Sequence, residues 1–465
     1  MSERVTIIGA GLAGSLLGLS LAKRGFEVEV FEKRWDVRAE NSVGTSGGEG
    51  RSINLALSVR GLHALEEVGL ADEVRRSMIP MKGRMVHPIA GELRLVPYGR
   101  NDSEVINSVS RNSLNSILLT ALGKEPKVTL NFQKRCVGYD FSTSELLMRD
   151  DVAGTDIRLK RSRVIGTDGS ASALRMSMMG MGRFNFSQSY LEHGYKELTI
   201  PPSATGQFQL EPHALHLWPR GGYMMIALPN IDKSFTCTLF FPQKGPQSFE
   251  SLASQQSSYR GPVTRFFEAQ LPDAIPLLPK LEDEFARNPT GNLITVKCTP
   301  WHVDDRVLLL GDAAHAIVPF YGQGMNCSFE DCSLFSQLLQ SESASWGPQS
   351  WGRAFAAFSE TRRVDADAIA DLAVDNFFEM RDTSANPKFG LKKQLEHQLE
   401  DAYPGKFISK YSMVTFHRIP YSIAMKKGRI QDSVLMSMCE NVSSIGELNI
   451  ERSYEAVQTA LAKQS

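Results

Sequence analysis

Val5-Thr-Ile-Ile8 is a short apolar run. It meets a glycine turn, Gly9 to Gly14, and then an apolar stretch through Leu21 and Ala22 that stops at Gly25. Val28 to Phe31 is a second apolar run, closed by Glu32. Strand, turn, helix and strand within about 30 residues is the size of one βαβ unit. Val37 to Gly50 is rich in Gly, Ser, Glu and Asn and reads as a loop. The spacing predicts a helix over Leu62 to Met78, a second after Arg111, and a strand over Val164 to Gly166 that ends in a polar turn. From Tyr195 to Phe241 strict alternation takes over, as in Tyr223-Met-Met-Ile-Ala-Leu and Phe235-Thr-Cys-Thr-Leu-Phe. That pattern predicts an antiparallel sheet forming its own lobe. Parallel-type strand signals return in Arg306-Val-Leu-Leu-Leu-Gly-Asp312, and after Met325 the chain reads as mostly helical, broken at Pro404 and Pro420. There is no internal repeat and no low-complexity tract.

Composition narrows the class without choosing a function. The 465 residues are 42% hydrophobic and 22% charged, an ordinary globular balance. This length suggests two or three domains, or one large domain with an insertion. Lys plus Arg is 51 and Asp plus Glu is 52, so no basic excess argues for nucleic acid. Six cysteines stand at 136, 237, 298, 327, 332 and 439, none in a Cys-x-x-Cys pair. A chain this large does not need disulfide staples, and reduced cytosolic thiols are expected. No run of about 18 apolar residues offers a membrane helix. The tail from Asn441 carries Glu447, Glu451, Arg452, Glu455 and Lys463. A soluble, cytoplasmic protein is the expectation.

Gly9-Ala-Gly-Leu-Ala-Gly14 carries the first chemistry. Gly9 permits a tight turn, Gly11 lets the backbone approach a pyrophosphate, and Gly14 lets the helix pack on the strand. The helix N-terminus then faces the phosphates with unpaired N–H groups. Glu32, at the end of the second strand, suits an adenosine ribose. The context of strand, helix and acid makes this a dinucleotide site, and leaves open whether the dinucleotide is FAD or NAD.

Two further segments point to a flavin. Gly166-Thr-Asp-Gly-Ser-Ala-Ser-Ala-Leu-Arg175 resembles the Asp-Gly motif of flavoprotein aromatic hydroxylases. There Asp168 and Gly169 would stand near the dinucleotide, and Arg175 would help organise the NADPH approach. Leu310-Gly-Asp-Ala-Ala-His315 resembles the Gly-Asp motif, whose aspartate, here Asp312, bonds a ribityl hydroxyl. Gly322, Gln323 and Gly324 would form a turn opening a helix, whose N-terminus favours negative charge on a reduced flavin. His315 is given no chemistry. A second fingerprint for NAD(P)H is absent.

The whole set resembles the kynurenine 3-monooxygenase family. The blocks that carry this are Arg51-Ser-Ile-Asn-Leu-Ala-Leu57, Met81-Lys-Gly-Arg-Met-Val-His87, His193-Gly-Tyr-Lys-Glu197, His216-Leu-Trp-Pro219, Val318-Pro-Phe-Tyr-Gly-Gln-Gly-Met-Asn326 and Lys410-Tyr-Ser-Met-Val-Thr-Phe416. They run through most of the chain. The resemblance implies that Arg84, Tyr98 and Tyr411 hold the substrate carboxylate, and that Asn376 bonds its polar end. Glu379, Met380, Pro319 and Phe320 would lie nearby. It implies an FAD site made by Gly9, Gly11, Leu12, Ala13, Gly14, Glu32, Lys33, Arg51, Leu55, Arg111, Asp168, Asp312, Gly322, Gln323, Gly324, Met325 and Asn326. Tyr321 departs from relatives that have His or Phe there. The C-terminal membrane-anchoring helix expected of eukaryotic members is also missing, which fits a bacterial-type member.

The fold expected is α/β: a Rossmann-like FAD-binding domain (1–80, 102–185 and 290–375), an antiparallel β-sheet substrate domain (81–101 and 186–289) and a helical C-terminal region (376–465). The implied reaction converts L-kynurenine to 3-hydroxykynurenine with FAD, NADPH and O₂, through a C4a-hydroperoxyflavin. No metal and no protein nucleophile is required, and a homodimer is compatible. A flavin hydroxylase of another aromatic acid, or a flavin-holding redox protein without turnover, are the alternatives.

Overall fold

The computed structural model describes residues 3–39, 54–254, 261–341, 347–383 and 387–463. The chain divides into two compact units, each assembled from three segments. Unit one takes Met1–Ser77, Val109–Ser189 and Ile294–Ala370; unit two takes Met78–Ser108, Tyr190–Leu293 and Asp371–Ser465.

Unit one is built on a six-stranded sheet, in the order His302–Val303, Val307–Leu309, Val164–Gly166, Arg4–Ile8, Glu27–Glu32, Val128–Phe132. All pairs are parallel except the short edge strand His302–Val303. Val5, Ile7, Val28, Val30, Val164, Ile165, Val307 and Leu308 are fully buried, as strands covered on both faces must be. The register aligns Ile8 with Phe31 and with Gly166, and Gly166 with Leu309. Gly9, Glu32, Thr167 and Leu310 therefore leave the sheet at one edge, formed by the carboxyl ends of the parallel strands. In open α/β sheets that edge is where ligands bind.

Two features of this unit depart from the sequence expectation. Leu62 to Met78 is not one helix. Helix Val59–Glu67 and helix Ala71–Arg75 are separated at Gly69, which takes a left-handed φ of 76°, and Met78 opens the strand Met78–Met81. A three-stranded antiparallel sheet, Thr155–Lys160, Glu145–Asp150, Lys134–Asp140, also went unanticipated. Its buried face is narrow, with Tyr139, Leu146 and Met148 inward. Its other face is laced with ion pairs such as Arg135–Asp151 at 2.8 Å and Arg158–Glu145 at 3.2 Å. Charge on one side and few apolar residues on the other leave a weak alternation signal.

Unit two holds the expected antiparallel sheet, in the order Gly291–Thr299, Asn185–Ile200, Phe235–Pro242, Met224–Pro229, Ala214–Pro219, Gly83–Val86, Arg94–Pro97. Gly83–Val86 pairs parallel with Ala214–Pro219 and antiparallel with Arg94–Pro97. Trp218, Phe235, Phe241, Phe267 and Leu271 form the core under the helices Pro262–Gln270 and Leu281–Arg287. The C-terminal helices Pro387–Ala402, Tyr421–Glu440 and Ile450–Ala462 make a second core of Leu395, Leu399, Leu435 and Val457. Tyr403 stacks on Tyr454 at 3.8 Å beside it. These helices group with the sheet in one unit, where the sequence reading drew a separate C-terminal region at 376. Pro404 falls after the helix that ends at Ala402, and Pro420 caps the helix that starts at Tyr421.

Among the described residues, no helix is long and apolar enough to cross a membrane.

Candidate active site

The glycine turn of unit one is shaped by contacts that exclude side chains. Gly9 has φ 102°, and a Cβ there would lie 2.5 Å from the Thr167 carbonyl oxygen. A Cβ on Gly14 would lie 1.9 Å from the Gly9 carbonyl oxygen. At Gly11 the opposite holds, since among the described residues a Cβ would meet nothing within 4 Å. Gly11 caps helix Leu12–Lys23 with no side-chain hydrogen bond and no acid in its first turn. The first N–H groups of that helix, carried on half-buried Leu12 and Ala13, thus face open space beside a residue with no side chain. This is a cradle that a pyrophosphate fits.

Glu32 is buried, and its carboxylate accepts from the Ala10 N–H at 2.8 Å and from the Arg34 N–H and Nε at 2.9 and 2.8 Å. Burial alone would raise its pKa; the Arg34 contacts and the Ala10 N–H reverse this and hold it below the usual carboxylate range. Arg34 was not singled out in the sequence, whereas its neighbour Lys33 is exposed. Arg51 lies outside the described residues.

The Asp-Gly and Gly-Asp motifs meet at the same edge. Asp168 accepts from the Ala173 N–H at 2.7 Å through Oδ2, while its buried Oδ1 has no partner among the described residues. Burial pushes this carboxyl above its ordinary range. An orphaned buried acceptor beside the glycine turn fits a ligand that brings hydroxyls or N–H groups. Arg175, expected to organise NADPH, is buried and donates to the Ala313 carbonyl at 2.7 Å and to the Ser170 carbonyl. It ties one motif to the other. Asp312 opens to solvent in the first turn after Gly311, and the charge of Arg111, at the start of helix Arg111–Gly123, reaches it.

Pro319–Tyr321 forms a 3₁₀ turn ending at Gly322, which is left-handed with φ 66°. Helix Gly324–Ser341 follows, with Met325 half-buried and Gln323 buried. Asn326 is fully buried, and its amide is engaged by the protein. It donates to Ala56 O at 2.7 Å and Gly322 O at 2.8 Å and accepts from Ser58 N at 2.9 Å. It staples the strand bearing half-buried Leu55 to the Gly322 turn.

Beneath this turn lies a buried ion network that sequence reasoning missed. Arg60 pairs with Glu330 at 2.6 Å, and Arg362 pairs with Glu330 at 2.9 Å and Asp331 at 2.6 Å. Asp331 also takes His315 Nε2 at 2.6 Å and the Gly311 N–H at 3.2 Å. Burial alone would lower the His315 pKa; the Asp331 carboxylate outweighs it and holds the imidazole protonated. His315, Cys327 and Asp331 cluster within 4.8 Å. A metal there would face the Arg362 guanidinium, 3.3 Å from Cys327 Sγ, so the trio reads as an ion pair. The network fixes the backbone that presents Asp312.

Unit two carries a different site. Arg84 sits in strand Gly83–Val86, opposite Val96, and the Tyr98 N–H bonds Lys82 O at 3.0 Å just past the partner strand. Tyr411 comes from helix Lys410–Thr415. Tyr98 and Tyr411 stack at 5.7 Å with 13° between planes. The Arg84 guanidinium carbon lies 5.5 and 5.4 Å from the two ring centroids. Among the described residues, the buried Nε of Arg84 has no hydrogen-bond partner. Burial pushes both phenol pKa values up, so the hydroxyls stay neutral donors. Burial opposes the charge on Arg84, yet the tyrosine oxygens and Glu379 hold it above its usual range. Asn376 is buried and donates to Met380 Sδ at 3.4 Å. Glu379 and Met380 stand on the π-helical turn Glu379–Thr383 that ends helix Pro348–Phe378. Single π turns of this kind collect at functional sites. Arg84, Tyr98, Asn376, Glu379, Met380 and Tyr411 thus belong to unit two, and Pro319 and Phe320 to unit one.

Comparison with known proteins gives the family and the fold. Residues 2–243 and 269–364 match the FAD binding domain family. A kynurenine 3-monooxygenase of Myxococcus xanthus is 47% identical over 99% of this chain and 96% of its own length. That of Dictyostelium discoideum is 42% identical over 97% and 96%. Among solved structures, tetrameric 2-methyl-3-hydroxypyridine-5-carboxylic acid oxygenase aligns with a TM-score of 0.63 at 20% identity, covering 86% of this chain and 98% of its own. PqsL of Pseudomonas aeruginosa in complex with 2-aminobenzoylacetate aligns with a TM-score of 0.59 at 21% identity, covering 82% and 99%. At such low identity these two speak for the fold alone. Identity above 40% along nearly the whole chain, on a sheet whose motif residues leave one edge together, makes this protein a member of the kynurenine 3-monooxygenase family of FAD-binding proteins.

Proposed function

We propose that this protein hydroxylates L-kynurenine to 3-hydroxykynurenine, using bound FAD, NADPH and O₂. The observation that carries the choice of substrate is Arg84, a cation set between two stacked neutral phenols. A guanidinium grips a carboxylate with two parallel N–H bonds, and phenol hydroxyls add donors on either side. Asn376, Glu379 and Met380, of the same unit as Arg84, would line the polar end. When bound, the flavin would supply the redox and oxygen-transfer chemistry, with NADPH as reductant. Gly11, the first turn of helix Leu12–Lys23, Glu32, Asp168 and Asp312 would hold it, and Gly322 to Gly324 would meet its ring. The protein's own share is to orient the substrate and exclude water. Six free thiols suit a reducing cytoplasm.

The test is kynurenine-dependent NADPH oxidation with the aromatic product and peroxide measured together. Stoichiometric 3-hydroxykynurenine is expected. NADPH oxidation that yields only peroxide would mean another substrate, and no oxidation would mean a flavin protein without this turnover.

A further inference from the structure

The group next to Tyr411 in the chain is Lys410, and its surroundings are built for it. Its ammonium is hydrogen-bonded to Asp432 and lies 3.7 Å from Glu379 Oε2. Its aliphatic stem lies across Gly428 of the helix Tyr421–Glu440, where a Cβ would come within 2.4 Å of Lys410 Cγ. Gly428 and Asp432, one turn apart, thus form a slot that takes both the stem and the charge. Asp432 also bonds Lys392, Lys392 pairs with Glu396 at 3.1 Å, and Lys393 pairs with Glu396 at 2.9 Å. Three ammonium groups here face three carboxylates, Asp432, Glu396 and Glu379. Arg84 also feels Glu379.

We propose that Lys410 is a positioning residue: seated on Gly428 and Asp432, it holds the Glu379 carboxylate off Arg84 and keeps the guanidinium open to an incoming carboxylate. This rests on the reading of Arg84 as the substrate clamp. Glu379 is felt by Arg84 as well as by Lys410 and Lys392, and of these Lys410 has its ammonium 3.7 Å from the Glu379 carboxylate. A carboxylate that settled on Arg84 would have to be displaced by every substrate molecule, whereas one neutralised by a fixed ammonium leaves the fork available.

Kynurenine titration of the FAD-loaded protein, followed by calorimetry and flavin absorbance, tests this. Lys410→Met keeps the stem and removes the charge; kynurenine should bind at least about tenfold more weakly with FAD content unchanged. In the double variant Lys410→Met/Glu379→Gln the dissociation constant should return to within about threefold of Glu379→Gln alone. Gly428→Ala, which moves the stem and favours helix, should give a milder weakening with the same rescue. Lost affinity that Glu379→Gln does not restore would make Lys410 a merely structural residue and overturn the proposal. So would an affinity within twofold of the parent in both Lys410→Met and Gly428→Ala. If those two are silent while Arg84→Ala weakens binding, this inference alone fails. If Arg84→Ala is also silent, the clamp reading falls with it.

Discussion

At the scale of single residues, Arg84 carries the most decisive expectation. Removing it takes a charge-assisted fork from a partly desolvated site, a loss of about 2–5 kcal/mol. Arg84→Ala should therefore bind kynurenine roughly 30- to several-thousand-fold more weakly while keeping its FAD. Arg84→Lys should recover only part, because a point charge cannot reproduce two parallel bonds. A titration giving a dissociation constant within twofold of the parent would refute the clamp. The proposed role of Arg84 came only from family resemblance, since periodicity treats one arginine in a strand like any other. The stacked tyrosines come from positions 98 and 411, and no local pattern joins them. The Arg60–Glu330 pair is invisible for the same reason, with 270 positions between its members. By contrast, Glu32 was readable because its strand and the glycine turn are neighbours in sequence.

At the scale of elements, the glycine turn gives two substitutions with opposite signatures. Gly14→Ala would drive a Cβ into the Gly9 carbonyl, a backbone atom that cannot step aside. It should lower thermal stability and flavin content together. Gly11→Ala meets no atom of the described residues, so the fold should hold its melting temperature while FAD binding weakens. Flavin-to-protein absorbance ratios and melting curves check both; equal behaviour of the two variants would contradict the division of roles. In strand Ala214–Pro219 of the other unit, burial depresses the His216 pKa to about 4, with His87 adding to the effect and the Glu211 carbonyl opposing it. A histidine whose folded pKa lies below its unfolded value near 6.5 takes up protons preferentially when unfolded. Its stabilising contribution is therefore complete above pH 6.5 and falls away as pH drops toward 4, by about 2 kcal/mol at pH 5. Unfolding midpoints at pH 7 and pH 5 should differ less in His216→Gln than in the parent. Elements with strong periodicity were legible in advance. The helix through Leu62 to Met78 was overextended because Gly69 imposes a left-handed turn that apolar spacing does not register.

At the scale of the whole molecule, ligand and fold are linked. FAD that binds only the folded chain should stabilise it by about 2.7 kcal/mol at one hundred times its dissociation constant. Stripping the flavin should lower the first melting transition, and re-addition should restore it in a concentration-dependent way; an unmoved transition would place the flavin outside the folded core. Sequence order alone suggested three regions, because the C-terminal helices follow the rest of the chain. Packing instead groups them with a sheet most of whose strands lie far earlier in the chain, between Gly83 and Pro242. The alternation of segments between the two units, three to each, also bears on how such a protein changes over generations. No single crossover between two genes can exchange one unit whole, and no single cleavage releases one. Point substitutions in place are therefore the shorter route to a new substrate preference, since no one exchange carries either half as a cassette.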